Sequence, residues 1–206
     1  MSAIAILASL VPFYLLGAFP TGRLIAKVYG IDLSSQGSGN VGATNVARVI
    51  GRRAGIFTLI GDVAKGSIGV WLAQILVSEP WFAPAAGVAL VLGHCLSIPG
   101  YSRGGKGVAT ALGVISMLLP SSGALALIVF GGVFWIWRIV SLASVAATLA
   151  VPAWGLVIGA SDSVSLSLMA QAAIIVMRHE QNLRRLIEGR EPKFTARKSG
   201  GTDLAR

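Results

Sequence analysis

Ala3-Ile-Ala-Ile-Leu-Ala-Ser-Leu-Val-Pro-Phe-Tyr-Leu-Leu-Gly-Ala-Phe19 runs for 17 residues without a charged side chain. At about 1.5 Å per residue such a run, extended to Leu24, reaches the ~30 Å thickness of a bilayer's hydrocarbon. It does not read as a cleaved secretory signal, because no basic segment precedes it and it outlasts a short h-region. We therefore read it as a membrane-spanning helix. Working outward, six more apolar runs follow, so that the seven cover residues 3–24, 54–78, 81–98, 107–119, 122–137, 141–160 and 163–178. The fourth and seventh are the weakest. If one neighbouring pair of short runs is re-entrant, the crossings fall to five and the chain ends keep their sides. The expected fold is an all-α, polytopic integral membrane protein of about seven transmembrane helices.

Composition agrees. Of 206 residues, 54% are hydrophobic and only 12% charged, whereas a soluble chain carries roughly a quarter charged, which excludes an ordinary water-soluble enzyme. About half of the charged residues lie from Arg178 onward. The chain thus divides into one membrane domain, residues 1–190, and a loosely ordered polar tail, residues 191–206. With one cysteine and two histidines there is neither a disulfide framework nor a Cys/His metal cluster, so no metal and no cofactor are expected.

The net charge of +9 would suggest nucleic acid in a soluble protein; in a membrane protein it first reports loop topology. The connections Glu79-Pro80, Pro120-Ser121-Ser122 and Ser161-Asp162-Ser163 carry no Lys or Arg. Apart from Lys65, the basic residues sit in the alternate set: Arg23 and Lys27, Arg48 to Arg53, Arg103 and Lys106, Arg138, and the C-terminal segment. The positive-inside rule then places the N-terminus outside, the C-terminus in the cytoplasm, and the long polar loops on the cytoplasmic face.

Two of those loops imitate soluble nucleotide-binding motifs. Gly37, Gly39 and Gly42 match G-x-G-x-x-G, with Asp62 twenty residues on, but no strand precedes Gly37 and Asp62 sits inside an apolar run. Gly100 to Lys106 has the spacing G-x-x-x-x-G-K, yet Gly107 replaces the Ser or Thr that would bind Mg²⁺. The physical content survives without the folds. Glycines let backbone N–H groups converge on an anion, Ser38, Asn40, Thr44, Asn45 and Arg48 add donors, and Lys106 adds a point charge where a helix begins. The third polar stretch, Arg178 to Gly189, puts His179 and Asn182 three apart on one helical face. Leu183, Leu186 and Ile187 make it amphipathic. Asp62 and Lys65, at i and i+3 within the second span, read as a mutually neutralising pair. Arg138 with Ser141 and Ser144 opens the sixth span, and His94 and Cys95 end the third, where both read as packing residues.

Three stretches together carry a resemblance. They are Gly37-Ser-Gly-Asn-Val-Gly-Ala-Thr-Asn-Val-Ala-Arg48, Gly93-His94 with Gly104-Gly-Lys-Gly-Val-Ala-Thr110, and His179-Glu-Gln-Asn182-Leu-Arg-Arg-Leu186 with Gly189. In this order, and with Arg138-Ile-Val-Ser-Leu-Ala-Ser144 between the second and third, they resemble the signature motifs of the bacterial acyl-phosphate:glycerol-3-phosphate acyltransferases. The resemblance implies a seven-helix enzyme of the bacterial inner membrane with its active site at the cytoplasmic face. Its partners would be acyl phosphate, glycerol 3-phosphate and membrane lipid, with no nucleic acid and no obligate protein partner. The products would be lysophosphatidic acid and inorganic phosphate. Neither His94 nor His179 heads the H-x-x-x-x-D signature of thioester-using glycerolipid acyltransferases, since Pro99 and Arg184 stand where Asp would be.

On this reading Ser38, Arg48, Lys106, His179 and Asn182 form the catalytic group. Asn40, Thr44, Asn45, Gly104, Gly105, Gly107 and Ser144 bind substrate. Ser38, Asn40, Thr44, Asn45 and the backbone from Gly104 to Gly107 would cradle acyl phosphate, with Lys106 on the departing phosphate. Arg48, His179, Asn182 and Ser144 would hold glycerol 3-phosphate. Either His179 or a donor phosphate oxygen can serve as base. The other classes open to these residues are a membrane transporter for phosphate-containing solutes and a non-enzymatic subunit binding anionic lipid.

Overall fold

The computed structural model describes residues 3–97 and 104–195. It is all-helical, with no strand among the described residues: α1 (Ala3–Ala18), α2 (Thr21–Val28), α3 (Ala43–Val49), α4 (Arg52–Leu76), α5 (Phe82–Leu96), α6 (Val108–Leu118), α7 (Pro120–Trp137), α8 (Val140–Val157), α9 (Asp162–Arg178) and α10 (Glu180–Ile187), with one 3₁₀ turn at Leu33–Ser35. Among the described residues, each expected apolar run contains a helix. The stretch from 3 to 24 departs from expectation by dividing at Pro20, whose missing N–H and fixed φ interrupt the helix, so that α2 is a separate amphipathic segment bearing Arg23 and Lys27.

Four helical stretches are long and apolar enough to cross a bilayer: Ile4–Val28, Arg52–Leu76, Pro120–Trp137 and Val140–Val157. Phe82–Leu96 and Val108–Leu118 are apolar but shorter, and the 11 residues of α6 extend only about 16 Å. The outer faces carry the large apolar side chains. Ile4, Leu7, Val11 and Leu15 line one exposed stripe of α1, while α7 buries only Ser122, Gly123 and Ala126 and exposes Leu127, Ile128, Trp135 and Ile136. Such a surface is unsuited to water and matched to lipid.

Because lipid is as apolar as the helices themselves, their association relies on close backbone packing through small residues. Glycines supply it in pairs. A Cβ on Gly17 would lie 2.0 Å from Leu90 O and one on Gly93 2.0 Å from Tyr14 O, which ties α1 to α5. Gly66 against Thr110 O and Gly113 against Val63 O tie α4 to α6 in the same way. These two contacts set the short helix α6, and the loop that opens it, against the polar ends of α3, α9 and α10.

Candidate active site

The first polar loop is organised by Asn45. Its Oδ1 accepts from Ser38 N (2.9 Å), and its Nδ2 donates to Gln36 O (3.1 Å) and Asn40 O (2.9 Å). A Cβ on Gly37, whose φ is +60°, would meet that Oδ1 at 2.2 Å, so the turn admits only glycine. The buried Asn45 was expected to contact substrate; its amide is instead spent on shaping the loop. Asn40 Oδ1 accepts from Gly42 N at 2.8 Å, which orders the entry to α3. Thr44 and Arg48, on successive turns of α3, face the cavity beyond.

The second loop approaches from α6. Gly107, at φ +84°, caps that helix, and Val108 and Ala109 of its first turn, whose amides have no acceptor within the helix, border the cavity. Gly104 and Gly105 do not border that cavity, contrary to the expected cradle from Gly104 to Gly107. They pack on the end of α5, where a Cβ on Gly104 would lie 2.0 Å from Cys95 O, and Gly105 N donates to His94 O at 2.9 Å. Their carbonyls accept from Arg178, at 3.1 Å (Gly104) and 3.2 Å (Gly105). Gly100 to Arg103 of this loop lie outside the described residues.

Lys106 Nζ donates to Asn182 Oδ1 at 2.6 Å, and Asn182 Nδ2 donates to Glu191 Oε1 at 2.6 Å. The same carboxylate accepts from Ser141 Oγ (2.7 Å) and Arg185 Nε (2.6 Å). Glu191, Ser141 and Arg185 were not among the expected site residues. Glu191 was assigned to the loose tail, but Gly189, at φ +66°, turns the chain back. Phe194 N then bonds Arg138 O (2.7 Å), and its ring packs on Phe134. Burial raises the Glu191 pKa, but hydrogen bonds from Asn182, Ser141 and Arg185 outweigh it and hold the carboxyl below its usual range. Proximity of this acid to a basic loop was the available signal, and nothing local in the sequence reveals the turn.

Burial, reinforced by Arg185, Arg48 and Arg178 against the opposing pull of Glu191, pushes the Lys106 ammonium down to about 8. His179 caps α9, is 2% exposed, and lies 2.7 Å from Ile175 O through Nδ1. A carbonyl only accepts, so Nδ1 carries the proton and Nε2 the lone pair. Burial drives this imidazole down to about 4, with Lys106 adding to the effect.

One cavity of about 710 Å³ gathers these groups. Ser38, Asn40, Thr44, Asn45, Arg48, Lys106, Gly107, Ser144, His179 and Asn182 all border it. From this polar mouth it continues between α6, α7, α8 and α9 past Leu112, Ile115, Ala126, Phe130, Ala147, Val151 and Leu168. A cationic mouth on an apolar limb suits an amphiphile with an anionic head.

Residues 7–189 match the glycerol-3-phosphate acyltransferase family. A glycerol-3-phosphate acyltransferase of Geotalea daltonii is 47% identical over 88% of this chain and 93% of its own; one of Aquifex aeolicus is 41% identical over 88% and 95%. The crystal structure of PlsY (YgiH), an integral membrane glycerol 3-phosphate acyltransferase, in its glycerol 3-phosphate form superposes with a TM-score of 0.86 at 38% identity, covering 93% of this chain and 96% of that one. The lysophosphatidic acid form gives 0.84. Motifs, multi-pass helical fold and sequence similarity over most of the chain agree: this protein belongs to the glycerol-3-phosphate acyltransferase family and is an integral membrane acyltransferase.

Proposed function

We propose that the protein transfers a fatty acyl group from acyl phosphate to the 1-hydroxyl of glycerol 3-phosphate, releasing lysophosphatidic acid and inorganic phosphate at the cytoplasmic face of the bacterial inner membrane. Seven helices cross, residues 1–190 together with the returning Glu191 to Phe194 segment form the catalytic membrane domain, and the N-terminus lies outside. The observation that carries this reading is the single cavity joining Ser38, Thr44, Arg48 and Lys106 to an apolar limb between α6 and α9. The limb takes the acyl chain. The mouth takes two anions that repel one another in water, and cations from three separate segments offset that repulsion.

Hydroxyl oxygen attacks the acyl carbonyl carbon; the new ester C–O bond forms as the bond from that carbon to the phosphate oxygen breaks. Lys106 and the first-turn amides of α6 stabilise the charge gathering on the departing phosphate. Ser38, Asn40 and Thr44 orient the donor, while Arg48, His179 and Ser144 hold glycerol 3-phosphate. The hydroxyl proton goes to a donor phosphate oxygen. An imidazole held at about 4 is the weaker base beside a phosphate whose second pKa is ~6. His179 then contributes its Nε2 lone pair as an acceptor for the hydroxyl of glycerol 3-phosphate that does not attack.

The test is phosphate release from palmitoyl phosphate by the protein in lipid, with and without glycerol 3-phosphate, and palmitoyl-CoA as control donor. Release that requires both substrates and yields lysophosphatidic acid is expected; turnover of the thioester instead refutes the donor assignment. The pH profile is a second check. Lys106 acts as the cation and the donor phosphate as the base, so kcat/KM is level only between pH ~6 and pH ~8. It falls below that window as the phosphate is protonated, and falls about tenfold per unit above it as Lys106 loses its proton. Lys106→Arg should carry whatever activity it retains to higher pH, and an unchanged break in that variant assigns the ionisation elsewhere. Asn182→Ala removes the acceptor that fixes Lys106 Nζ, so kcat falls with little change in KM. A raised KM with kcat intact would make Asn182 a substrate ligand instead.

A further inference from the structure

Behind the Lys106 loop lies a buried ionic cluster to which the acyl-transfer steps assign no task. Lys65 Nζ stands 2.9 Å from Asp62 Oδ1, 3.0 Å from Phe19 O and 2.8 Å from His94 Nδ1. Asp62, Lys65 and His94 are 3%, 6% and 8% exposed. An ammonium group has three protons and no lone pair, and here it has three neighbours able to accept, one per proton. His94 Nδ1 is therefore the acceptor, and the ring's own proton resides on Nε2. Asp62 Oδ1, 3.7 Å from Nδ1, is too distant to compete as its hydrogen-bond partner.

The protonated edge of the ring faces the catalytic loop. An ideal Cβ on Gly105 would fall 2.0 Å from His94 Nε2, and Gly105 N donates to the His94 carbonyl. From the opposite side Arg178 grips the Gly104 and Gly105 carbonyls. Gly105 is thus held between α5 and α9, one residue before Lys106. Apolar packing would fill this space without the cost of burying two charges beside membrane-embedded helices.

We propose that Asp62 and Lys65 lock His94 in the Nε2–H tautomer, and that His94, so locked, is a positioning residue that seats Gly105 and thereby aims Lys106 at the departing phosphate. This rests on the acyl-transfer reading for what Lys106 does, but not for the tautomer itself. His179 has the opposite tautomer, with its proton on Nδ1.

The chain contains only these two histidines, so a ¹⁵N-histidine spectrum of the wild-type protein in lipid resolves both. One Nδ1–H and one Nε2–H ring are expected, with the Nε2–H signal missing in His94→Asn and shifting when inorganic phosphate is added to the wild type. Asn places an oxygen where Nδ1 was and keeps Lys65 satisfied; Gln reaches the Nε2 position with an N–H. His94→Asn should lose about tenfold or more in kcat with KM for glycerol 3-phosphate within about twofold, and His94→Gln should regain much of the loss. Two rings of the same tautomer, an Nε2–H signal indifferent to phosphate, a wild-type kcat in His94→Asn, or a Gln variant as impaired as the Asn one overturns the proposal. The wild-type spectrum decides the tautomer even if a variant fails to fold. A wild type that releases no phosphate from palmitoyl phosphate instead refutes the donor assignment and leaves the tautomer standing.

Discussion

Lys106→Ala is expected to lower kcat by roughly 10²-fold or more while the protein stays folded. The side chain is half-buried at the polar mouth, and Asn182 fixes its Nζ at 2.6 Å in place of a carboxylate, so its charge is only partly neutralised before substrate arrives. Departure of phosphate from the acyl carbon concentrates negative charge on one bridging oxygen. A cation already oriented in a poorly solvated site stabilises that change at little reorganisation cost. The loss should appear in kcat and kcat/KM together, measured by phosphate release at saturating glycerol 3-phosphate. Activity within twofold of wild type would remove Lys106 from the chemical step.

Asp62→Ala is expected to destabilise the protein by about 3–5 kcal/mol, because it strands the Lys65 ammonium in a buried site between α4 and α5. The penalty comes from the charge left behind more than from the pair that is lost. It follows that Asp62→Ala combined with Lys65→Met should recover most of the thermal unfolding midpoint that Asp62→Ala alone forfeits. A single variant that unfolds at the wild-type midpoint would show that the pair does not support the fold. The double variant frees the Nδ1 edge of His94, so it should regain stability without regaining full kcat.

The helices were legible because the information is local. A run such as Pro120–Trp137 has no charged residue and nowhere to bury its backbone except in a helix, whatever surrounds it. The three motifs were legible for a similar reason, since glycines beside hydroxyl, amide and cationic side chains are a short-range signature of anion binding. Local reading misplaced residues whose role depends on a distant partner. Asn45 looked like a ligand and its amide clasps the loop; Gly104 and Gly105 looked like a cradle and are packed between α5 and Arg178. His94 looked like packing, and Glu191 looked like tail.

By itself, the sequence determined a helical membrane protein with basic, glycine-rich loops, because composition and turn chemistry act over a few residues. Only the tertiary structure decided that Lys65 meets His94, and that Lys106, Asn182, Ser141 and Glu191 share one network. Those meetings depend on where the Gly17–Gly93 and Gly66–Gly113 contacts let the helices close, and on the turn at Gly189 that brings Glu191 back. Both are three-dimensional packing outcomes, set by backbone approach between segments far apart in the chain.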